Sequence, residues 1–268
     1  FFHPHAAIPD PLWSRGLGDV YKRQLHFNEL YMGINSTKSK DKMRDFMNIV
    51  KAVVEGRAAE RVRYQGEVHR IRWRATWNPS SATLPVYMAA SGPNMVHLAG
   101  EVSDGVGVGI MSSVEFVRDI VRPNAEAGAI KAERDPKALV FPTASIVSVN
   151  KDVEAAQQAS RKAICKLYHP IPHPYYDSQL RQLGFSEFAD QATSLMPAGR
   201  LGEAIDLVPQ EVVDRLTITG NVEQCIERVN EYTGVADELI LARTAQQGDN
   251  QTMRDYDDLF QLIGRVAD

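Results

Sequence analysis

An α/β fold built on a parallel sheet is what this sequence predicts, on three observations. Short apolar runs alternate with longer segments of helical period along most of the chain. Residues 84–110 compress strand, helix and strand into a compact βαβ rhythm. No internal repeat and no low-complexity linker interrupts the pattern, so one domain accounts for the bulk of the chain.

The elements follow in order. Residues 30–34 form a short apolar run, read as a strand. Met43, Phe46, Met47, Val50, Val53 and Val54 recur at helical spacing until Gly56. Residues 62–73 alternate as a hairpin broken at Gly66. Residues 86–90 are a buried strand ending in Ala90-Ser91-Gly92, and Pro93 opens a helix with Met95, Val96, Leu98 and Ala99 apolar. After Asp104-Gly105, residues 106–110 read as the next strand. Ser112 and Glu115 fit a capping box for a helix carrying Val114, Val117, Ile120 and Val121, which Pro123 kinks or restarts.

Residues 139–149 are the strongest β run, with Pro142 a local irregularity. A helix with Val153, Ala156, Ala163, Ile164 and Leu167 follows, and residues 169–174 are too rich in proline to be regular. Residues 175–215 read as short helices and loops without strands. Asn221 and Gln224 start a helix that Gly234 ends, and residues 238–242 are the last strand. Met253, Tyr256, Leu259, Phe260, Ile263 and Val266 line a closing helix.

Composition narrows the class. The 268 residues are 44% hydrophobic and 24% charged, ordinary for a soluble globular protein. A net charge of −4 gives no reason to expect nucleic acid, and no basic run suggests an anionic membrane. No apolar stretch reaches the length of a membrane span. A cytoplasmic protein acting on a small molecule is expected. Cys165 and Cys225 lie far apart in apolar helical patterns and read as buried free thiols.

Residues 1–24 do not fit the rest. They begin without Met, and Pro4, Pro9 and Pro11 break any regular element. They lack the features of a signal peptide. Residues 12–24 resemble a translated sequencing adapter, a genuine disordered arm being the alternative, and on either reading the native domain is expected over residues 25–268.

The turn after residues 86–90 has the chemistry of an anion cradle. Small residues admit a ligand to the backbone, and the amides and dipole of a helix start favour a phosphate. Tight packing alone is the alternative use of such residues. Neither the Gly-x-Gly-x-x-Gly nor the P-loop pattern is present.

The run from Pro85 to Pro93, Pro-Val-Tyr-Met-Ala-Ala-Ser-Gly-Pro, is followed by Leu98-Ala99-Gly100 and Asp104-Gly105. Val208-Pro209, Val213 and Thr219-Gly220-Asn221 come later in the same order. This series resembles the luciferase-like monooxygenase superfamily, which includes the coenzyme F420-dependent reductases, from about Leu30 to the C-terminus. The resemblance implies a (β/α)8 TIM barrel with a helical insertion, and FMN or F420 as cofactor. On that reading the visible strands are four to eight, and strands one to three are missing from an incomplete barrel. Its open strand edges would favour aggregation or partial folding.

In such barrels ligands bind at the C-terminal ends of the strands. The resemblance therefore implies that Ala89, Ala90, Ser91 and Gly92, with Val108, Gly109, Ile110 and Met111, hold the cofactor phosphate and ring edge. Members using sugar phosphates carry Thr and Lys in the second loop. Gly109 and Ser112 stand there instead, which argues against glucose 6-phosphate. The turn resembles the methylenetetrahydromethanopterin reductase branch, which favours F420 and hydride transfer over FMN and monooxygenation. No catalytic residue is assigned, since the family's substrate-handling residues lie largely on the first strands. A homodimer is expected of the full-length protein.

A non-catalytic flavin-binding or interaction protein is the alternative function. An unrelated isomerase or aldolase barrel ranks lower, because no Lys sits at a clear strand end. His169 and His173 cannot align on a helix through Pro170 and Pro172, so no metal site is expected. His97, Trp73 and Trp77 read as packing or surface residues, and Asp255, Asp257 and Asp258 as solvated carboxylates. Asp104 reads as a structural cap ahead of Gly105.

Overall fold

The computed structural model describes residues 37–56, 61–74, 84–168, 171–243 and 257–266. The expectations for residues 1–24, for the strand at 30–34, and for Trp77, His169, Met253, Asp255 and Tyr256 lie outside the described residues.

Helix α1 (Ser39–Glu55) turns Met43 and Met47 inward as its spacing predicts. It also buries Asp45, whose carboxylate accepts hydrogen bonds from the amides of Glu67, Val68 and His69 and from the Tyr64 hydroxyl. That clamp holds the antiparallel hairpin β1 (Arg61–Gln65) and β2 (Arg70–Arg74) against the helix. A Cβ on Gly66 would stand 1.9 Å from Asp45 Oδ1, so the close approach requires glycine there.

Strand β3 (Tyr87–Ala89) leads into α2 (Pro93–Val102), with Pro93 in the first turn. Strand β4 (Gly105–Gly107) is shorter than residues 106–110, because beyond it Val108 makes only an isolated bridge to Thr143. A short helix α3 (Val114–Phe116) passes through a π-helical segment (Val117–Val121) into α4 (Arg122–Lys131). The backbone stays helical through Val121 and Arg122, so Pro123 does not restart the helix but follows a π-helical segment within it. The cap is shifted by one residue from the expected Ser112: Ser113 Oγ accepts the Phe116 amide at 3.1 Å. The Ser112 hydroxyl is engaged by Tyr175 instead, at 2.8 Å.

Strand β5 (Pro142–Val149) is buried along nearly its whole length. Pro142 is its first residue rather than an irregularity within it, a position where proline costs little. Four short helices, α6 (Pro174–Gln182), α7 (Ser186–Leu195), α8 (Leu201–Asp206) and α9 (Gln210–Leu216), follow α5 (Val153–Leu167). They enclose a second core around Tyr168, Leu180, Phe188 and Leu216. Strand β6 (Thr217–Gly220) continues directly from α9 and was not expected, since four residues are too few to show a period. Helix α10 (Val222–Asn230) starts at Asn221 as expected, through a capping box of Asn221 and Gln224, and β7 (Glu238–Arg243) follows.

Strand β4 lies between β3, its parallel ladder partner, and β5, which it meets through the bridges Gly105↔Val140 and Val108↔Thr143. Strand β5 pairs in parallel with β7 from Pro142↔Glu238 to Val147↔Arg243. The order β3-β4-β5-β7 is thus chain order, with helices in each crossover, as the α/β reading predicts. Strand β6 joins only the far end of β5, from Ile146↔Thr217 to Val149↔Gly220.

The closing helix, α11 (Asp257–Val266), corrects one expectation. Leu262 is buried, but Phe260 is 52% exposed, and Ile263 and Val266 are exposed as well. Leu259 and Leu262 make the packing face, and the Arg265–Glu223 pair beside it ties the helix to α10. The apolar stripe is wider than this contact. No described helix is long and apolar enough to cross a membrane.

Helices α2 and α4 meet backbone to backbone. A Cβ on Gly100 would lie 1.8 Å from the Ala125 carbonyl oxygen, and one on Gly128 would lie 1.9 Å from that of His97. Beside this contact Glu101, with a side chain 5% exposed, takes Arg44 at 2.5 Å, Lys131 at 2.9 Å and His97 at 3.0 Å. Burial alone would raise its pKa, but hydrogen bonds from Lys131 and Arg44 more than offset this and hold it at about 2. A depressed carboxylate contributes stability that is complete above its unfolded pKa and is lost as pH falls toward the folded one. Stability should therefore decline between about pH 4.5 and 2 in an acid titration followed by circular dichroism. Glu101→Gln should cost about 2 kcal/mol at neutral pH and flatten that decline.

Candidate functional site

Strands β3 and β4 end side by side. Ala89 is in register with Gly107, and the Ala90 amide donates to the Gly107 carbonyl at 3.2 Å. The loops that leave these ends run next to each other. In the first, Ala90 and Ser91 are buried, and Gly92 is exposed in extended conformation as the N-cap of α2. The Gly92 carbonyl accepts from Met95 and Val96 and so begins the helix. In the second, Gly109 and Ile110 separate the Val108 bridge from Met111, which is fully buried and bridges Ser145.

The amides of Ser91, Gly92, Gly109 and Ile110 donate no hydrogen bond to any described residue. Unpaired backbone donors at the edge of a core are costly unless water or a ligand takes them. Ser91 and Gly92 stand at the positive end of α2, whose dipole favours negative charge. A Cβ on Gly92 would meet nothing within 4 Å, so the chain itself does not require glycine there. The space left at Gly92 and the amides beside it are compatible with a phosphate-bearing group held through backbone contacts. Neither loop carries a cation.

The eight residues expected at the site therefore differ in use. Ala89 and Val108 close the strands, and the Val108 amide is spent on the Pro142 carbonyl. Met111 belongs to the second core. Ala90, Ser91, Gly92, Gly109 and Ile110 form the loops proper.

Helix α6 covers the second loop, and sequence reasoning missed this. The Tyr175 ring lies over Gly109, where an added Cβ would be 3.3 Å from it. Its hydroxyl shares a hydrogen bond with Ser112 Oγ at 2.8 Å and accepts one from Gln179 Nε2 at 2.9 Å. Phe116 meets the ring edge-on, with centroids 6.3 Å apart. Ser91 Oγ is buried and makes no hydrogen bond of normal geometry, although it is near enough to the Tyr175 hydroxyl to influence its acidity. Burial pushes the Tyr175 phenol up to about 12, so it stays a neutral donor and acceptor. The i,i+4 spacing of Tyr175 and Gln179 is the local signal; the loop they cover is remote in sequence.

Other residues singled out in the sequence have structural partners. His97 pairs with Glu101. The Asp104 carboxylate accepts from the Val86 amide at 2.9 Å and from Lys51 at 2.6 Å. The His173 ring packs on Tyr176, with centroids 4.2 Å apart. Trp73 is half-buried in β2. Cys165 and Cys225 are buried free thiols, pushed up to about 12 by burial and thus protonated.

Residues 24–238 match the luciferase-like monooxygenase family. The chain is 29% identical over 208 residues to a 5,10-methylenetetrahydromethanopterin reductase of Archaeoglobus fulgidus, covering 75% of this chain and 59% of that protein. Among solved structures, it superposes on a coenzyme F420 dependent tetrahydromethanopterin reductase from Methanopyrus kandleri with a TM-score of 0.68 and 21% identity, covering 85% and 62% of the two chains. A riboflavin lyase with modified FMN gives a TM-score of 0.58 at 14% identity, covering 89% and 61%. The chain thus spans about three-fifths of the length of these proteins.

Tyr175→Phe keeps the ring over Gly109 but removes a partner from both Ser112 and Gln179. It should lower stability by about 1–2 kcal/mol, read as a fall in denaturation midpoint with an unchanged slope.

Proposed function

We propose, for a chain that belongs to the luciferase-like monooxygenase family, that it forms part of an F420- or FMN-dependent oxidoreductase acting on a small organic substrate. The observation that carries the reading is the set of four unpaired amides, from Ser91, Gly92, Gly109 and Ile110, at the adjacent ends of two parallel strands. These amides hold the cofactor phosphate, and the small residues around Gly92 leave room for the ring edge. A bound deazaflavin supplies hydride transfer, whereas a bound FMN supplies oxygen activation. The chain's own residues bind and orient that group, and α6, through Tyr175, closes one side of the recess against water.

F420 is the favoured cofactor. The A. fulgidus relative and the M. kandleri structure, whose name states F420 dependence, support this choice. A sugar phosphate substrate is disfavoured, since the loop holding Gly109 and Ser112 offers no cation. Strands β3, β4, β5 and β7, which lie side by side in parallel, are later strands of a (β/α)8 barrel. The native domain covers residues 25–268.

The test is fluorescence titration of the protein, expressed from its complete coding sequence, with F420 and FMN separately. Tight F420 binding with weak FMN binding is the expected result, and binding of neither by a folded protein overturns the reading. Gly92→Val separates the cradle from the fold. Its backbone angles, φ −75° and ψ 145°, suit a branched side chain, and nothing crowds it. The melting temperature should stay unchanged while cofactor affinity falls about tenfold or more.

A further inference from the structure

The hairpin on α1 carries a charge pattern for which the cofactor cradle has no use. In β1, Arg61 and Arg63 alternate with Val62 and Tyr64. In β2, Arg70, Arg72 and Arg74 alternate with Ile71 and Trp73. The register sets Arg61 opposite Arg74, Arg63 opposite Arg72, and Gln65 opposite Arg70. Directly opposed residues of antiparallel strands share a face, so all five arginines stand on one side of the ribbon. The other side packs on α1, with Val62 buried and the Tyr64 hydroxyl bonded to Asp45.

All five arginines are exposed, and none of their side chains makes an ion pair or hydrogen bond with a described residue. Like charges directly opposite one another destabilise a strand pair, and this ribbon holds two such pairs. Edge strands that need only solubility typically use lysine. Arginine offers a planar fork that grips a carboxylate bidentately. Both outer edges of the ribbon also lack a strand neighbour, since its sheet consists of β1 and β2 alone among the described residues.

We propose that this face docks an extended acidic segment of a partner protein. The segment adds as a strand to a free edge of the hairpin, with a carboxylate at every second residue. Same-face residues recur about every 7 Å along a strand, so alternating carboxylates match the spacing of the arginine rows. The chain as a whole carries a net charge of −4 despite these five cations, so the rest of its surface repels a long polyanion such as nucleic acid. Tyr64 and Trp73, the rings that would stack on bases, are on the opposite face of the ribbon from the arginines. The hairpin of a second copy would bring like charge.

The surface is separate from the cradle. Arg44, next to Asp45, pairs with Glu101 in the last turn of α2, whereas Gly92 caps the first. Failure of the cofactor reading therefore leaves this proposal standing, and the reverse holds.

The test is fluorescence anisotropy of labelled probes on the full-length protein. The probes are a Thr-Glu repeat peptide, a peptide of the same composition with its glutamates grouped, a Thr-Lys repeat and a single-stranded DNA. The Thr-Glu repeat should bind best, and its affinity should fall about tenfold in R63Q/R72Q. That variant removes a like-charge pair, so its melting temperature should hold or rise. Arg70→Glu, opposite the neutral Gln65, should weaken the same peptide without breaking an arginine pair. Absence of peptide binding, equal binding of the grouped peptide, tighter binding of DNA, or a melting temperature lowered in both variants overturns the proposal.

Discussion

The position of the cradle depends on Asp104. Its carboxylate accepts from the Val86 amide, from Lys51 on α1 and from Arg134 at the end of α4. Its own amide donates to the Val86 carbonyl, and its carbonyl accepts from Val140. One residue thus ties the starts of β3, β4 and β5 together and anchors two surrounding helices. Because strands have a period of two residues, a slip of one would turn every side chain to the other face. Fixing the register at the start of the strands also fixes which residues stand at their ends. The adjacency of Gly92 and Gly109, at the other end of the sheet, follows from it.

Given that register, the two ends of α2 do different work. Its C-terminal half is pressed on α4 through Gly100 and Gly128, and Glu101 gathers Arg44, Lys131 and His97 beside the contact. Its N-terminal turn begins at a glycine on which an added Cβ would meet nothing within 4 Å, and the amides of Ser91 and Gly92 have no described partner. Rigid packing at one end holds open donors in place at the other, which is how a site is kept preorganised without being filled by its own side chains. The Tyr175 lid adds polar closure to this, since its hydroxyl is held by Ser112 and Gln179 rather than left to rotate.

Charge follows the same division between local and global. The net charge of −4 describes the chain but hides the hairpin, where alternation puts every arginine on one face and every packing residue on the other. Asp45 makes the arrangement possible by clamping the turn from beneath through three amides. The clamp lets the ribbon tolerate cross-strand repulsion that an isolated hairpin could not.

The sequence by itself determined the α/β class, most strand and helix positions and the family. These rest on local signals: apolar period, Pro93 and Asn221 at helix starts, and an ordered series of short motifs. Tertiary structure alone decided that Ser113 rather than Ser112 caps α3, because Tyr175 competes for the Ser112 hydroxyl from across the fold. It likewise decided that Thr217–Gly220 is a strand, which four residues show only when β5 lies beside them. Of the eight residues expected at the cradle, local sequence could not separate Val108, whose amide a neighbouring strand consumes, from Gly109, whose amide is left open. The reason is common to all three: a hydrogen bond between residues far apart in sequence leaves no periodic trace in either segment, so only their meeting in space reveals it.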